Sequence, residues 1–166
     1  RELLLDAYSH IRRIVHQAAD GLSVEQLAYR PEEGSNSIAW LVWHLTRIED
    51  SHLSAVTQLD EAWSTDGWDD RFGLGGTTSI GFGDGPEQVA ALRPEGDLLL
   101  GYHDYVNGRV LSYMDRVDAV ELDRIVDTNY DPYVKAGVRL VSVISDNLQH
   151  AGQARYLRGI IERLEV

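Results

Sequence analysis

Hydrophobic positions in this chain recur at steps of three and four over four long segments, the spacing that gives an α-helix one buried face. The first segment covers about residues 3–19, with Ala7, Ile11, Ile14, Val15 and Ala18 in register. Asp20-Gly21 closes it, with glycine in its usual place just past a helix end. Residues 23–29 read as a short helical stretch. Ser23 can cap it, Gln26 stands at the capping-box spacing, and Pro31 marks its end. The second long helix is expected over about residues 37–59, capped by Ser35, Asn36 or Ser37, with Ile38, Leu41, Leu45, Ile48, His52, Ala55 and Leu59 facing inward.

The third long helix is expected over about residues 95–117, with a wide band of Leu98, Leu99, Tyr102, Tyr105, Val106, Val110, Tyr113, Met114 and Val117. Gly101 and Gly108 weaken it by about 1 kcal/mol each. Residues 118–122 suggest another short turn, residues 125–134 a connector with Ile125-Val126 locally extended, and residues 137–164 the fourth helix. Between the second and third helices, residues 60–96 break the pattern. They hold eight of the fifteen glycines together with Trp63, Trp68, Phe72 and Phe82. A connection this long is often functional, and its aromatics argue that it packs on the helices. Gly85-Pro86-Glu87 can open a short helix within it. The fold expected is an all-α four-helix bundle formed by residues 1–166 as a single domain.

Composition removes several function classes. The net charge of −12 repels phosphate backbones, and no basic stripe offsets it, so no nucleic acid is expected as a partner. No apolar run reaches about 18 residues, so no membrane span is expected. Arg1-Glu2-Leu3-Leu4-Leu5-Asp6 lacks a signal-peptide pattern, and a cytoplasmic location is the expectation. There is no cysteine, which excludes disulfides, thiolate ligands and a thiol nucleophile from the chain itself.

Candidate chemistry gathers around histidines. Asp146 and His150 lie at i and i+4 on the fourth helix, so both project from one face. Borderline divalent ions accept such oxygen and nitrogen donors. His44, one position off the apolar stripe of the second helix, can supply a third ligand, and three protein ligands leave positions open for water or substrate. The plainer alternatives are a helix-surface ion pair for Asp146 and His150 and a hydrogen-bonded core histidine at 44. Glu49 and His52 make one Glu-x-x-His unit, but a di-iron bundle needs two, so that centre is not expected. His52 is a second possible ligand or a core partner. His10 and His16 read as solvated or polar-packing residues, and His103-Asp104 as a helix-surface pair. No Gly-x-Ser-x-Gly elbow is present.

Two stretches resemble signatures of the DinB/YfiT-like superfamily. One is Ser37-Ile38-Ala39-Trp40-Leu41-Val42-Trp43-His44-Leu45, following Leu22 to Leu27 and Arg30-Pro31. The other is Gln149-His150-Ala151-Gly152-Gln153-Ala154-Arg155-Tyr156-Leu157-Arg158-Gly159. The resemblance implies an up-down-down-up bundle, commonly a homodimer, with a metal held by one histidine of the second helix and two ligands on the fourth. Many members carry His-x-x-x-His there. The mycothiol-dependent maleylpyruvate isomerase branch has a carboxylate at the first position, where this chain has Asp146. The mycothiol S-transferases of the superfamily are the most similar in style.

The expectations are therefore a metal site of His44, Asp146 and His150, holding zinc, with nickel, iron or manganese as alternatives. Mycothiol is the expected cosubstrate, attacking an electrophilic small molecule. Arg155, Gln153 and Arg47 are candidate substrate-binding residues, Arg158 reads as a surface arginine paired with an acid, and residues 60–96 could cap the site. The competing functions are a metal-dependent hydrolase and a non-catalytic metal-binding bundle.

Overall fold

The computed structural model describes residues 1–164. Four long helices form the frame: α1 (Glu2–Ala19), α3 (Ile38–Thr57), α7 (Gly96–Met114) and α9 (Ala136–Leu164). Short helices α2 (Val24–Leu27), α4 (Ala62–Thr65), α5 (Trp68–Arg71), α6 (Pro86–Ala91) and α8 (Ala119–Asp123) lie in the connections. The chain is all-α apart from a small antiparallel ribbon of β1 (Ile125–Asp127) and β2 (Val134–Lys135), with Ile125 opposite Lys135. The expected connector is thus paired rather than merely extended. No described helix is long and apolar enough to cross a membrane.

Side-chain pairings fix the directions of the helices. Tyr8 donates to the Leu140 carbonyl near the start of α9, while Arg158 near its end donates to Asp20 at the end of α1, so α1 and α9 run parallel. His44 meets His150 and Glu49 meets Asn147, so α3 runs against α9. Arg12 pairs with Asp104, while Arg1 reaches the Asp115 carbonyl, so α7 runs against α1. The result is up-down-down-up, with α1 and α3 both packed between α7 and α9.

Local rules explain the boundaries. Ser23 and Gln26 form the expected capping box, and Ser37 accepts from the Trp40 amide to cap α3. α3 ends earlier than its hydrophobic pattern suggests. Gln58 turns left-handed at φ 61°, returns its amide to the Ser54 carbonyl, and leaves Leu59 outside. Along α3, every residue from 38 to 47 is buried, and only beyond that does burial narrow to Glu49, Asp50, Leu53 and Val56. Ala55 is exposed and His52 half-buried, so the inward stripe expected there is displaced by about one position. The all-round burial of residues 38–47 comes from the segment 60–96, which folds over the outer side of that half of α3. Trp63, Trp68 and Phe72 cluster around Tyr102 of α7 with ring centroids 5.2 to 5.8 Å apart. Phe82 is the exception, standing 91% exposed.

A buried ion cluster anchors that segment. Asp50, 1% exposed, accepts from the amides of Ala62 and Trp63 at 3.0 and 2.8 Å and so caps α4 from a neighbouring helix. It also accepts from the Tyr102 hydroxyl at 3.0 Å and Arg109 at 3.3 Å. Arg47, with no exposed surface, stacks on Trp63 and donates to Glu61 at 2.7 Å. Removing one member of such a cluster strands the others in a low-dielectric interior. Asp50→Ala is expected to cost about 3–5 kcal/mol of unfolding free energy in urea titrations, and a loss below about 1 kcal/mol would show that the cluster holds little together.

A second polar seam crosses the bundle. Glu49 is wholly enclosed and accepts from Asn147 at 2.7 Å. Burial pushes its carboxyl from the ordinary 4.5 up to about 8, an effect the Asp50 charge reinforces and the Asn107 and Asn147 hydrogen bonds oppose. The folded protein therefore keeps this proton where the unfolded chain releases it. Stability should be greatest below about pH 4.5 as far as this group is concerned. It should then fall by up to about 1.4 kcal/mol per pH unit until about pH 8. Glu49→Gln should flatten that limb in denaturation series across this range, and an unchanged slope would place the proton elsewhere.

Candidate metal centre

His44 sits near the middle of α3 and is 6% exposed. Three contacts hold its ring. Trp40, one turn earlier, stacks on it with centroids 4.6 Å apart and planes 10° apart. Its Nδ1 donates to the Ile80 carbonyl of the covering segment. Gly81 lies directly against the stack at φ +86°, where a Cβ would stand 2.9 Å from His44 Nδ1 and from Trp43 Cζ3. With Nδ1 protonated and committed, the lone pair of the neutral ring is on Nε2, the tautomer a metal requires. Burial pushes the His44 imidazole below its ordinary pKa, and the neighbouring His150 adds to that, while the Ile80 carbonyl, Asp146 and Asp84 oppose it.

The other two donors come from α9. His150 meets His44 edge to face, with centroids 4.9 Å apart and planes at 81°. Its Nδ1 donates to Gln153 Oε1 at 3.0 Å, which again leaves Nε2 free. That nitrogen lies 3.7 Å from Asp146 Oδ1. One ligand atom from each of His44, Asp146 and His150 falls within 4.8 Å of the other two. Donors bound to one zinc ion at about 2.1 Å stand roughly 3–4 Å apart, so side-chain adjustments of about an ångström complete the sphere. Among the described residues, no other group of three such side chains gathers in this way.

The donor set fits a divalent ion on a further ground. Asp146 Oδ2 is buried and has no hydrogen-bond partner. An enclosed carboxylate oxygen with no donor is costly, and a cation removes that cost. Two imidazoles and one carboxylate suit zinc and its first-row neighbours better than magnesium or calcium. Gln153, which bonds His150, also lines a shallow groove of about 300 Å³ along α9, together with Pro31, Asn36, Leu41, Tyr156 and Ile160.

The remaining candidates distribute unevenly. Gln153 stands at the border of the centre and orients His150. Arg155, five residues past His150, is turned about 140° around the helix and donates to the Gln17 carbonyl on α1. Arg47, a candidate for substrate binding in the sequence, has no exposed surface. It is enclosed and engaged by Ser79, Tyr102 and Glu61, so it positions the covering segment. His103 is also not the surface partner of Asp104. It is buried, bonds to Thr46 at 3.1 Å, and burial lowers its pKa to about 4. Asp104 pairs instead with Arg12 and His16. His52 bonds to the Ile48 carbonyl and stays outside the trio. His10 meets Arg13 on an exposed face, and Arg158 pairs with Glu162.

Sequence reasoning missed Ile80 and Gly81, because a backbone carbonyl and an absent side chain leave no pattern. The only signal was the glycine density of residues 60–96.

Comparison with curated proteins returned no match. A solved structure, described as the crystal structure of the conserved protein of locus from Enterococcus faecalis, superposes with a TM-score of 0.86 at 28% identity. The match covers 95% of this chain and 94% of that one. The family model of the DinB superfamily matches residues 7–154, nearly the whole bundle including all three candidate ligands, and this chain belongs to that superfamily.

Proposed function

We propose that this protein is a metal-dependent S-transferase that activates a low-molecular-weight thiol, mycothiol, for attack on an electrophilic small molecule. The observation that carries the reading is the convergence of His44, Asp146 and His150 beside an open groove. The chain contains no cysteine, so the sulfur nucleophile must arrive on a cosubstrate. The carboxylate at position 146 and the His150-Ala151-Gly152-Gln153 run, shared in style with the mycothiol branch, favour that thiol.

A divalent ion with open positions, zinc by its donor set, lowers the pKa of a thiol or water that it binds. The chain's own residues do the rest. Ile80 and Gln153 fix the two imidazole tautomers. Trp40 holds His44 in plane. The groove beside Gln153 has a mixed polar and apolar lining and the size to take part of one small organic molecule. With a halonitroarene as acceptor, a carbon–sulfur bond forms, halide leaves with the electrons of the broken bond, and the thiol proton passes to solvent.

Protein grown with zinc should carry one ion per chain, and His150→Ala should lose most of it on metal analysis. Turnover of a halonitroarene should require added mycothiol. Equal turnover without thiol would replace this reading with a hydrolase, and absence of stoichiometric metal in the wild type would leave a bundle without the chemistry. Gly81→Ala forces a methyl group into the Trp40–His44 stack and should weaken zinc binding by about tenfold in chelator competition, the usual effect of disturbing a ligand's support. Unchanged affinity would mean that the covering segment does not orient His44.

A further inference from the structure

Beneath the covering segment lies a second recess, of about 210 Å³, which the metal centre does not use. Its walls include Trp40, Trp43, Leu74 and Leu92, and Asp84 stands at its edge. Trp40 stands between the two sites, lining the recess while one ring face is taken by His44. The recess lies toward residues 74–92, whereas His150 and Asp146 approach from α9, so an occupant would not touch the ion.

Asp84 gives the recess its chemistry. It is half-buried and accepts from the Trp40 indole at 2.9 Å through Oδ2. Among the described residues, no arginine, lysine or histidine forms an ion pair with it. A carboxylate without a cation, set beside two indoles on an apolar floor, is the arrangement that attracts an organic cation. The carboxylate neutralises a positive charge, and the indole and aliphatic walls take an apolar body. The net charge of −12 raises the local concentration of cations further. Volume sets the size limit. An apolar cavity of about 150 Å³ accommodates benzene, so this recess takes a single substituted ring or an aliphatic body of similar bulk.

We propose that this recess is a binding site for a small organic ammonium ion, with its apolar body against Trp40, Trp43 and Leu92 and its charged head at Asp84. The site is separate from the thiol chemistry, and its occupancy does not depend on a bound metal.

Nitrogen-15 spectra of the whole protein, titrated with benzylammonium and in parallel with neutral benzyl alcohol, test this directly. The indole resonances of Trp40 and Trp43 should move while that of Trp68 stays in place. Benzylammonium should bind about tenfold more tightly than the alcohol, equally with zinc or with chelator present. Asp84→Asn keeps an acceptor for the Trp40 indole and should bring the two ligands to equal affinity. Equal affinity in the wild type, discrimination that survives in Asp84→Asn, or shifts centred on Asp146 and His150 would each overturn the proposal. None of these results bears on whether the three ligands hold a metal.

Discussion

The arrangement rests on one buried guanidinium. Arg47 lies one turn from His44 on α3 and reaches outward from the helix into the covering segment, where water cannot solvate it. It contacts Glu61 at the start of that segment and the Ser79 carbonyl near its middle, 18 residues apart in sequence. An enclosed charge of this kind is tolerated only when its donors are met. That requirement ties the first half of the covering segment to the helix that carries a candidate ligand. Ile80, next to Ser79, then presents its carbonyl to His44. Core electrostatics and ligand orientation are thus consecutive links of one chain of contacts.

The four long helices were legible because periodic burial leaves a periodic pattern, and each cap that the sequence pointed to at Ser23 and Ser37 is present. Legibility failed where burial was not periodic. From residue 38 to 47, α3 is enclosed on all sides, so polar and charged residues such as Thr46 and Arg47 sit inside, and the pattern there cannot separate core from surface. The same enclosure explains His103, whose neighbour Asp104 faces outward to Arg12 while His103 faces Thr46. Adjacent residues on a helix differ by 100°, so sequence neighbours are poor guides to spatial partners.

The candidate site shows the same division. The pair on α9 was visible as an i, i+4 spacing, and His44 as a histidine beside an apolar stripe. Their supports were not, since a main-chain carbonyl, a glycine and a glutamine bonded to a neighbouring ring carry no distinctive spacing. Arg47 and Gln153 were visible as polar residues near the ligands, but only the packing shows that Arg47 meets Ser79 and that Gln153 meets His150. Proximity to a centre in sequence selects a neighbourhood without revealing which groups a side chain engages there.

Asp146 and Asn147 occupy successive positions on α9, yet they serve opposite sides of the wall. The first faces the candidate centre, and the second reaches Glu49 in the interior. Their division of labour depends on the phase of the helix alone. Point substitutions elsewhere along α9 can drift during descent, but inserting or deleting one residue between Leu140 and Ala154 would rotate everything beyond it by about 100° and exchange rim for interior. The length of this stretch is therefore a heritable constraint in its own right, and divergence among relatives should accumulate there by replacement and never by gaps.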